Sequence, residues 1–564
     1  MLKTKIVSSL EKPLLEENID VFSSLANISA LRGERLSFQL LNTYEYENDT
    51  SPLERNIAYA LLTAEGELSE YASFREVGNV PVERPTLEKA VDDEDYISKK
   101  PGLFPDILRP LRCGNTVCAT PYLLTSVWVE IDIPEDFPAG DYKFKIRLDA
   151  GEKGTSDATL KIKVIDAALP SEDIYFTQWF HCDSLANYYN VEVWSEKHWK
   201  IIENFARVAV RNGINMLLTP VFTPPLDTAP GGERLTTQLV GVTKRGESYT
   251  FDFSLLDRWI DMCERVGIKY FEISHFFTQW GAKHAPKVMA TVNGEYKRIF
   301  GWDTDAVSKE YTEFLRAFIK EFLSHMKSRG IDRQCFFHIS DEPHFEHIES
   351  YKAARASIID LISDYPLMDA MSNYNFWELG LISTPIPSSN HIAPFIENGV
   401  PNLWTYYCCT QTTKVSNRFI AMPSWRNRSI GFQIYKYGIV GFLHWGYNFY
   451  ENWHSVNSIN PYLVQDGNGW VSPGDAYSVY PAQNGEALES LRIAVFYEAL
   501  QDVKAMKLCE SLCGKDAVVK AIDEAIDADV TFDTCAKSAE AILSLREKIN
   551  ALIEENKQTP SRNT

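Results

Sequence analysis

Apolar and polar side chains alternate with period two through the first third of the chain, in the runs 35–41, 126–131, 142–148 and 158–164. Turns such as Pro138-Ala139-Gly140-Asp141 separate these runs. The pattern predicts an antiparallel β-sandwich over residues 1–168, with no function legible in it beyond a supporting or carbohydrate-contacting module. From Ile174 the period changes to that of alternating helices and short apolar strands. Ser195 is placed to cap a helix carrying Ile201, Phe205 and Val208 on one face. Glycines in the sequence Gly-Ile or Gly-Val then close successive helices at Gly213, Gly267, Gly330, Gly399 and Gly438, each just before another apolar run.

These units predict strands near 175–182, 214–219, 269–274, 334–340, 367–372, 402–409, 439–445 and 477–480, that is, a (β/α)8 TIM-like barrel over 169–510. An open doubly wound sheet fits the same alternation, but no GxGxxG fingerprint, P-loop or GxSxG elbow stands where such a sheet would carry one. The apolar stripe Val307, Tyr311, Phe314, Leu315, Phe318 and Phe322 reads as ordinary helix packing. Residues 511–564 read as a C-terminal helical tail whose last residues, 558–564, are frayed.

Composition narrows the class of function. With 564 residues, 45% hydrophobic and 24% charged, the chain reads as a folded multidomain protein. Its 56 basic and 77 acidic residues give a net charge of −21, which argues against nucleic acid or an anionic membrane as partner. No apolar run is long enough for membrane insertion, and the first residues lack a signal-peptide core, so the sequence as given predicts a cytoplasmic protein. The ten cysteines include the close pairs Cys113/Cys118 and Cys509/Cys513, neither in a paired zinc pattern, and no metal or other cofactor is expected. A homo-oligomer is left open.

The chemistry concentrates at the predicted strand ends. The run 335–340 stops at Asp341-Glu342-Pro343, where Pro343 bars further pairing and is expected to hold Glu342 extended. The same tripeptide also fits a helix start. Other strand ends carry His275, Asn373, Trp404, Tyr406, Trp445, Tyr447 and Asn448, a set of amides, aromatics and a histidine suited to a sugar ring. Glycosidases usually place two carboxyls on opposite sides of the scissile bond, which neighbouring residues on one strand end do not do. Substrate assistance resolves this: the sugar's 2-acetamido oxygen attacks the anomeric carbon, Glu342 working protonated delivers a proton to the leaving oxygen, and Asp341 working ionised orients the acetamido N–H.

At these residues the chain resembles glycoside hydrolase family 123, the β-N-acetylgalactosaminidases. The resemblance rests on His338-Ile339-Ser340-Asp341-Glu342-Pro343, Leu403-Trp404-Thr405-Tyr406-Tyr407, Trp445-Gly446-Tyr447-Asn448 and Gly474-Asp475-Ala476-Tyr477-Ser478-Val479-Tyr480-Pro481, followed by Glu489-Ser490-Leu491-Arg492. It implies a retaining exo-enzyme that removes terminal β-linked GalNAc from glycolipid or oligosaccharide glycans, with Glu342 as acid and Asp341 as the acetamido-orienting group. Two rivals remain at this stage. One is a metal-dependent hydrolase using His181, Asp183, His275, Asp341, His344 and His347; the other is a non-catalytic carbohydrate-binding protein.

Overall fold

The structure, a computed structural model, describes residues 1–46, 57–87, 93–112 and 114–557; Cys113 and the terminal stretch 558–564 lie outside the described residues. The alternating runs of the N-terminal region form two five-stranded sheets. One contains Leu2–Ser8, Arg35–Tyr44, Thr125–Asp132, Ala72–Val82 and Gly102–Pro110, antiparallel throughout. The other contains Asn27–Arg32, Thr155–Ala168, Gly140–Asp149, Ala58–Glu65 and Thr116–Ala119, with one parallel pair between its first two members. Phe38, Val127 and Val129 of the first sheet meet Phe144, Ile146 and Leu160 of the second in a shared core. Alternation therefore places apolar residues between the sheets, as the sequence pattern requires.

The outer face of the first sheet is also buried, which alternation alone does not reveal. Trp128 and Glu130 point away from the sandwich core and are nevertheless covered. The Trp128 indole donates to Glu130 at 2.9 Å, and Arg211 at the end of the helix Glu196–Arg211 donates to the same carboxylate at 2.5 Å. Arg492 and Tyr480 both reach Asp106 on the strand Gly102–Pro110. The sandwich is thus fixed to the rest of the molecule by buried, paired charges.

Eight short parallel strands follow in chain order: Tyr175–Gln178, Met216–Thr219, Tyr270–Ile273, Cys335–Phe337, Met368–Ala370, Thr384–Ile386, Trp404–Tyr406 and Gly441–His444. Six of them form one curled sheet whose edges are Cys335–Phe337 and Trp404–Tyr406. The remaining two pair with each other and meet those edges through single bridges, Phe337 with Leu367 and Ser388 with Tyr406. Where the alternation predicts a TIM-like barrel, the structure shows a curled six-stranded sheet with a two-stranded pair bridged to both of its edges. The strand list is corrected. The residues near 477–480 belong to an antiparallel hairpin, Val479–Pro481 with Ala487–Glu489. The strand Thr384–Ile386 went unread because it is three residues long with a central proline.

The segments after the second and third parallel strands extend into hairpins. Gly241–Arg245 with Ser248–Asp252 and Val288–Val292 with Glu295–Phe300 join through the parallel pairing of Thr243 with Thr291. The C-terminal helices are tied down. Leu491–Cys513 is buried on most of its surface, and Gly431 lets the helix Ile430–Tyr437 approach it so closely that a Cβ would stand 2.6 Å from the Ala499 carbonyl oxygen. Ala539–Lys557 returns to the sandwich, where Glu547 accepts from the Ser29 amide at 2.7 Å. Among the described residues no helix is long and apolar enough to cross a membrane.

Candidate active site

The parallel strands begin on an aromatic floor. Tyr175 stacks on Trp404 with centroids 5.4 Å apart, and Tyr270 and Phe336 pack edge-on against Tyr175. Gly441 is required there, since a Cβ would come within 2.1 Å of the Trp404 ring. Polar side chains replace aromatic ones farther along the same strands. Glu272 accepts from Thr177 at 2.5 Å, from the Trp179 indole at 2.6 Å and from His338 at 2.8 Å. The other nitrogen of His338 lies 3.0 Å from Asp369, which also accepts from Tyr351 at 2.6 Å. Burial alone would push the His338 value down, but the two bonded carboxylates raise it to about 9, so the ring is an imidazolium held between them at neutral pH.

Asp341 and Glu342 follow above this layer. Their placement is set by Ser340, which donates to the Thr278 carbonyl at 2.8 Å, by the Trp280 amide on the Asp341 carbonyl at 2.9 Å, and by the Glu342 amide on the Ala370 carbonyl at 3.1 Å. Glu342 is not extended as Pro343 led one to expect. Its φ is +42°, a left-handed conformation that costs roughly 1–2 kcal/mol in a non-glycine residue and is found where function holds it. Nor do the acids open a helix, because the next helical turn is Phe345–His347.

Tyr406 donates to Glu342 Oε1 at 2.6 Å, leaving Oε2 for another partner. Asp341 is 9% exposed and its Oδ1 has no hydrogen-bond partner. Burial, with Glu342, Asp227, Asp369 and Glu272 nearby, pushes its carboxyl well above the usual range.

The structure gathers some of the sequence-derived residues around the acids and not others. His275 stacks on His338 at 4.1 Å between centroids, with both ring nitrogens unpartnered; burial holds it neutral. Asn373 lies just beyond the strand Met368–Ala370, its Oδ1 accepting from the Asn375 amide at 3.0 Å. Trp445 follows the strand Gly441–His444 and donates to Asp475 at 2.8 Å.

Trp404, Tyr447 and Asn448 do not join them. Trp404 starts its strand and belongs to the floor. The Tyr447 hydroxyl points into the surrounding helices and donates to the Phe205 carbonyl at 2.8 Å. Asn448 is fully used by the backbone of His181, accepting from its amide at 2.9 Å and donating to its carbonyl at 3.1 Å. The donors weighed for a metal are likewise engaged elsewhere: Asp183 holds Arg234 through two bonds, and His181 sits between Arg234 and the Trp445 carbonyl. Among the described residues His275, His338 and Asp369 bring ligand atoms within 4.8 Å of one another, but both His338 nitrogens are already bonded to carboxylates.

Two acids and an aromatic were given no site role in the sequence, although Asp475 lies in one of the motifs that carry the resemblance. Asp475 lies beneath Trp445 with Oδ1 3.3 Å from His444 Nε2, lacking hydrogen-bond geometry, and burial raises it to about 7. Trp280, with φ +57°, links Asp341 to His454, whose ring is 6.1 Å away. Asp227 lies in the proline-rich stretch after the second parallel strand, where burial raises it to about 7 against the opposing pull of Arg234. Only the close spacing of Pro224, Pro225 and Asp227 after a strand end marked it in the sequence.

Such a mouth, with adjacent carboxyls, unpartnered imidazole nitrogens and aromatic walls, is suited to acid-assisted cleavage of a sugar acetal. The family model "Glycoside hydrolase 123, catalytic domain" matches residues 179–509. No curated protein matches the sequence. Among solved structures the chain is similar to a family 123 glycoside hydrolase from Clostridium perfringens studied for glycolipid glycan hydrolysis, with 16% identity, a TM-score of 0.74, and coverage of 98% of this chain and 99% of that one. A Bacteroides ovatus GH5 xyloglucanase matches at 10% identity and TM-score 0.28, covering 84% of this chain and 98% of its own, a likeness too low to carry any argument. The chain belongs to glycoside hydrolase family 123, and it is a glycoside hydrolase acting on glycans.

Proposed function

We propose that the enzyme removes terminal β-linked N-acetylgalactosamine with retention, the substrate's acetamido group serving as nucleophile. The observation that carries this reading is the Asp341 carboxyl: it is buried beside Glu342 on the same strand end, and its Oδ1 lacks any donor. An acetamido N–H supplies that donor. As it binds, the ionised form of Asp341 gains a partner, and the proton held by the coupled pair becomes available to Glu342. Glu342, anchored through Oε1 by Tyr406, delivers it to the leaving oxygen while the acetamido oxygen closes on the anomeric carbon. Asp341 then stabilises the oxazolinium, and water opens the ring from the face the aglycone left, giving net retention.

The eight parallel strands and their two single-bridge seams support reading the scaffold as one TIM-like barrel with its active site at the strand C-terminal ends. Similarity to the Clostridium perfringens enzyme, studied for glycolipid glycan hydrolysis, supports glycolipid head groups as the substrate class.

Turnover of aryl β-glycosides of GalNAc, GlcNAc and 2-hydroxy galactose tests this reading. Cleavage of the GalNAc form and not the 2-hydroxy form is expected, unchanged by chelator; cleavage of the 2-hydroxy sugar would mean a protein nucleophile. Glu342→Gln should cost on the order of 10³-fold or more with an unactivated leaving group and far less with an activated aryl one, whereas Asp341→Asn should be damaging with both.

A further inference from the structure

The acid pair accounts for the acetamido group and the leaving oxygen but leaves the far side of the sugar ring unread. Asp227 lies on a neighbouring loop, near enough for its charge to be felt at Asp341. Its segment is pinned at nearly every backbone group. The Asp227 amide donates to Gln279 Oε1 at 2.7 Å, and its carbonyl accepts from Ser455 Oγ at 2.8 Å. On one side the Leu226 carbonyl accepts from Thr228 Oγ1 at 2.9 Å and from Arg234 at 3.0 Å; on the other the Thr228 carbonyl accepts from Gln279 Nε2 at 3.2 Å. These five bonds hold Asp227 at φ +44°, a left-handed conformation that aspartate tolerates better than most residues. Yet among the described residues the Asp227 carboxyl itself accepts no hydrogen bond and forms no ion pair. An aspartate kept for structure would use its oxygens on the loop; here the loop is built by other side chains, and the carboxyl is presented.

Its position relative to the acids is fixed by the same residues. Gln279 binds Asp227, and its neighbour Trp280 binds the Asp341 carbonyl, so the two acids flank one short segment. The second parallel strand, which leads into the Asp227 loop, is separated from the fourth, which leads into the acid pair, only by Tyr270–Ile273. Two strand spacings amount to about 10 Å around the mouth. Asp227 is close enough for its charge to raise the Asp341 carboxyl, so a ring with C1 at Glu342 and N2 at Asp341 that extends toward this loop would bring C4 and C6 to Asp227. A second sign that the mouth is built for a polar ligand is independent of Asp227: both nitrogens of His275, which is 1% exposed, lack partners. In the galacto configuration O4 is axial, so a carboxylate on that face of the ring can accept from O4–H and O6–H together; in the gluco epimer O4 lies near the ring plane and is out of line for a carboxylate held on that face.

We propose that Asp227 is the residue that selects the galacto configuration, its carboxylate accepting from O4–H and O6–H of the terminal sugar. This inference rests on the acetamido-assisted N-acetylgalactosaminidase reading.

The test is kcat/KM of the wild type, Asp227→Asn and Asp227→Gly on the 4-nitrophenyl β-glycosides of GalNAc, 4-deoxy GalNAc, 6-deoxy GalNAc and GlcNAc. Both variants suit a left-handed backbone, and thermal midpoints check that they fold. The wild type is expected to lose about 10- to 100-fold on removal of either hydroxyl. Asp227→Gly should lose a similar factor on GalNAc and almost nothing more on the deoxy sugars, and its preference for GalNAc over GlcNAc should collapse. Losses from the variant and from the missing hydroxyl that simply multiply would overturn the role of Asp227 while leaving the reaction assignment standing. Should the wild type turn over the GlcNAc glycoside in preference, the galacto reading beneath the proposal falls, and the selecting role of Asp227 falls with it.

Discussion

The two ends of the parallel strands use similar residue types for opposite purposes. At the start of the strands Tyr175 stacks on Trp404 and meets Tyr270 and Phe336 edge-on, and the seal is tight enough to demand Gly441. At the finish the aromatics are hydrogen-bonding walls: Tyr406 holds Glu342, and Trp445 holds Asp475. Trp404 and Tyr406 belong to one three-residue strand yet serve the two different ends. Aromatic character in a strand therefore says little about sugar binding; distance along the strand from floor to mouth decides it. Between the ends, the Glu272–His338–Asp369 layer is the point at which packing gives way to charge.

That layer offers the largest test of the contrast. His338→Phe leaves two buried carboxylates without their cation and should cost about 3–5 kcal/mol, read as a fall in denaturant midpoint. The sign with pH follows from a folded value of about 9 above the ordinary 6.5. The stabilisation by His338 is complete below about pH 6.5 and is lost as pH rises through 9, so the gap between wild type and variant should narrow from pH 6 to pH 9.5.

The strand Trp404–Tyr406 gives a sharper separation of floor from mouth. Trp404→Ala should lower stability by up to about 3–5 kcal/mol while the surviving folded enzyme keeps its KM. Tyr406→Phe, two residues on, should cost only about 1 kcal/mol of stability but reduce kcat by about 10-fold or more, because Glu342 loses its anchor. Equal effects of the two variants on kcat would erase the distinction between the ends.

The smallest effect concerns Asp341. Because its folded value is raised, ionisation opposes the fold: the penalty is absent below the unfolded value, near pH 4, and grows as pH rises toward the folded one. Asp341→Asn should therefore raise the thermal midpoint at pH 7, on the order of 2 °C, while abolishing activity, and the gain should vanish near pH 4. A lowered midpoint at pH 7 would show that the acid is stabilised by partners rather than exposed for substrate.

Much of the scaffold was legible. The period-two runs became sandwich strands, and Gly267 and Gly438 close their helices in the left-handed conformation that their place before an apolar run anticipated. The acid pair was legible because a proline and two carboxylates ending an apolar run leave few alternatives. Other parts were not, for identifiable reasons. Asn448 looks like a sugar-binding amide until the backbone of residue 181 is brought beside it and consumes both of its groups. Tyr447 reads as a site aromatic until its hydroxyl is seen to face Phe205. Thr384–Ile386 carries no periodicity in three residues, and pairing with Met368–Ala370 is what makes it a strand.

The sequence by itself determined the alternation, the helix ends and the adjacency of Asp341 and Glu342, because each depends on side-chain period, backbone restriction or covalent neighbourhood, all local properties. Only the tertiary structure decided which aromatics reach the mouth, that the Asp341 carboxyl is pushed upward by its surroundings, and that the Asp227 loop is tied to the segment that holds the acid pair. Those properties depend on burial and on partners hundreds of residues away, and a hydrogen bond or a desolvated charge has no local signature until the chain has closed around it.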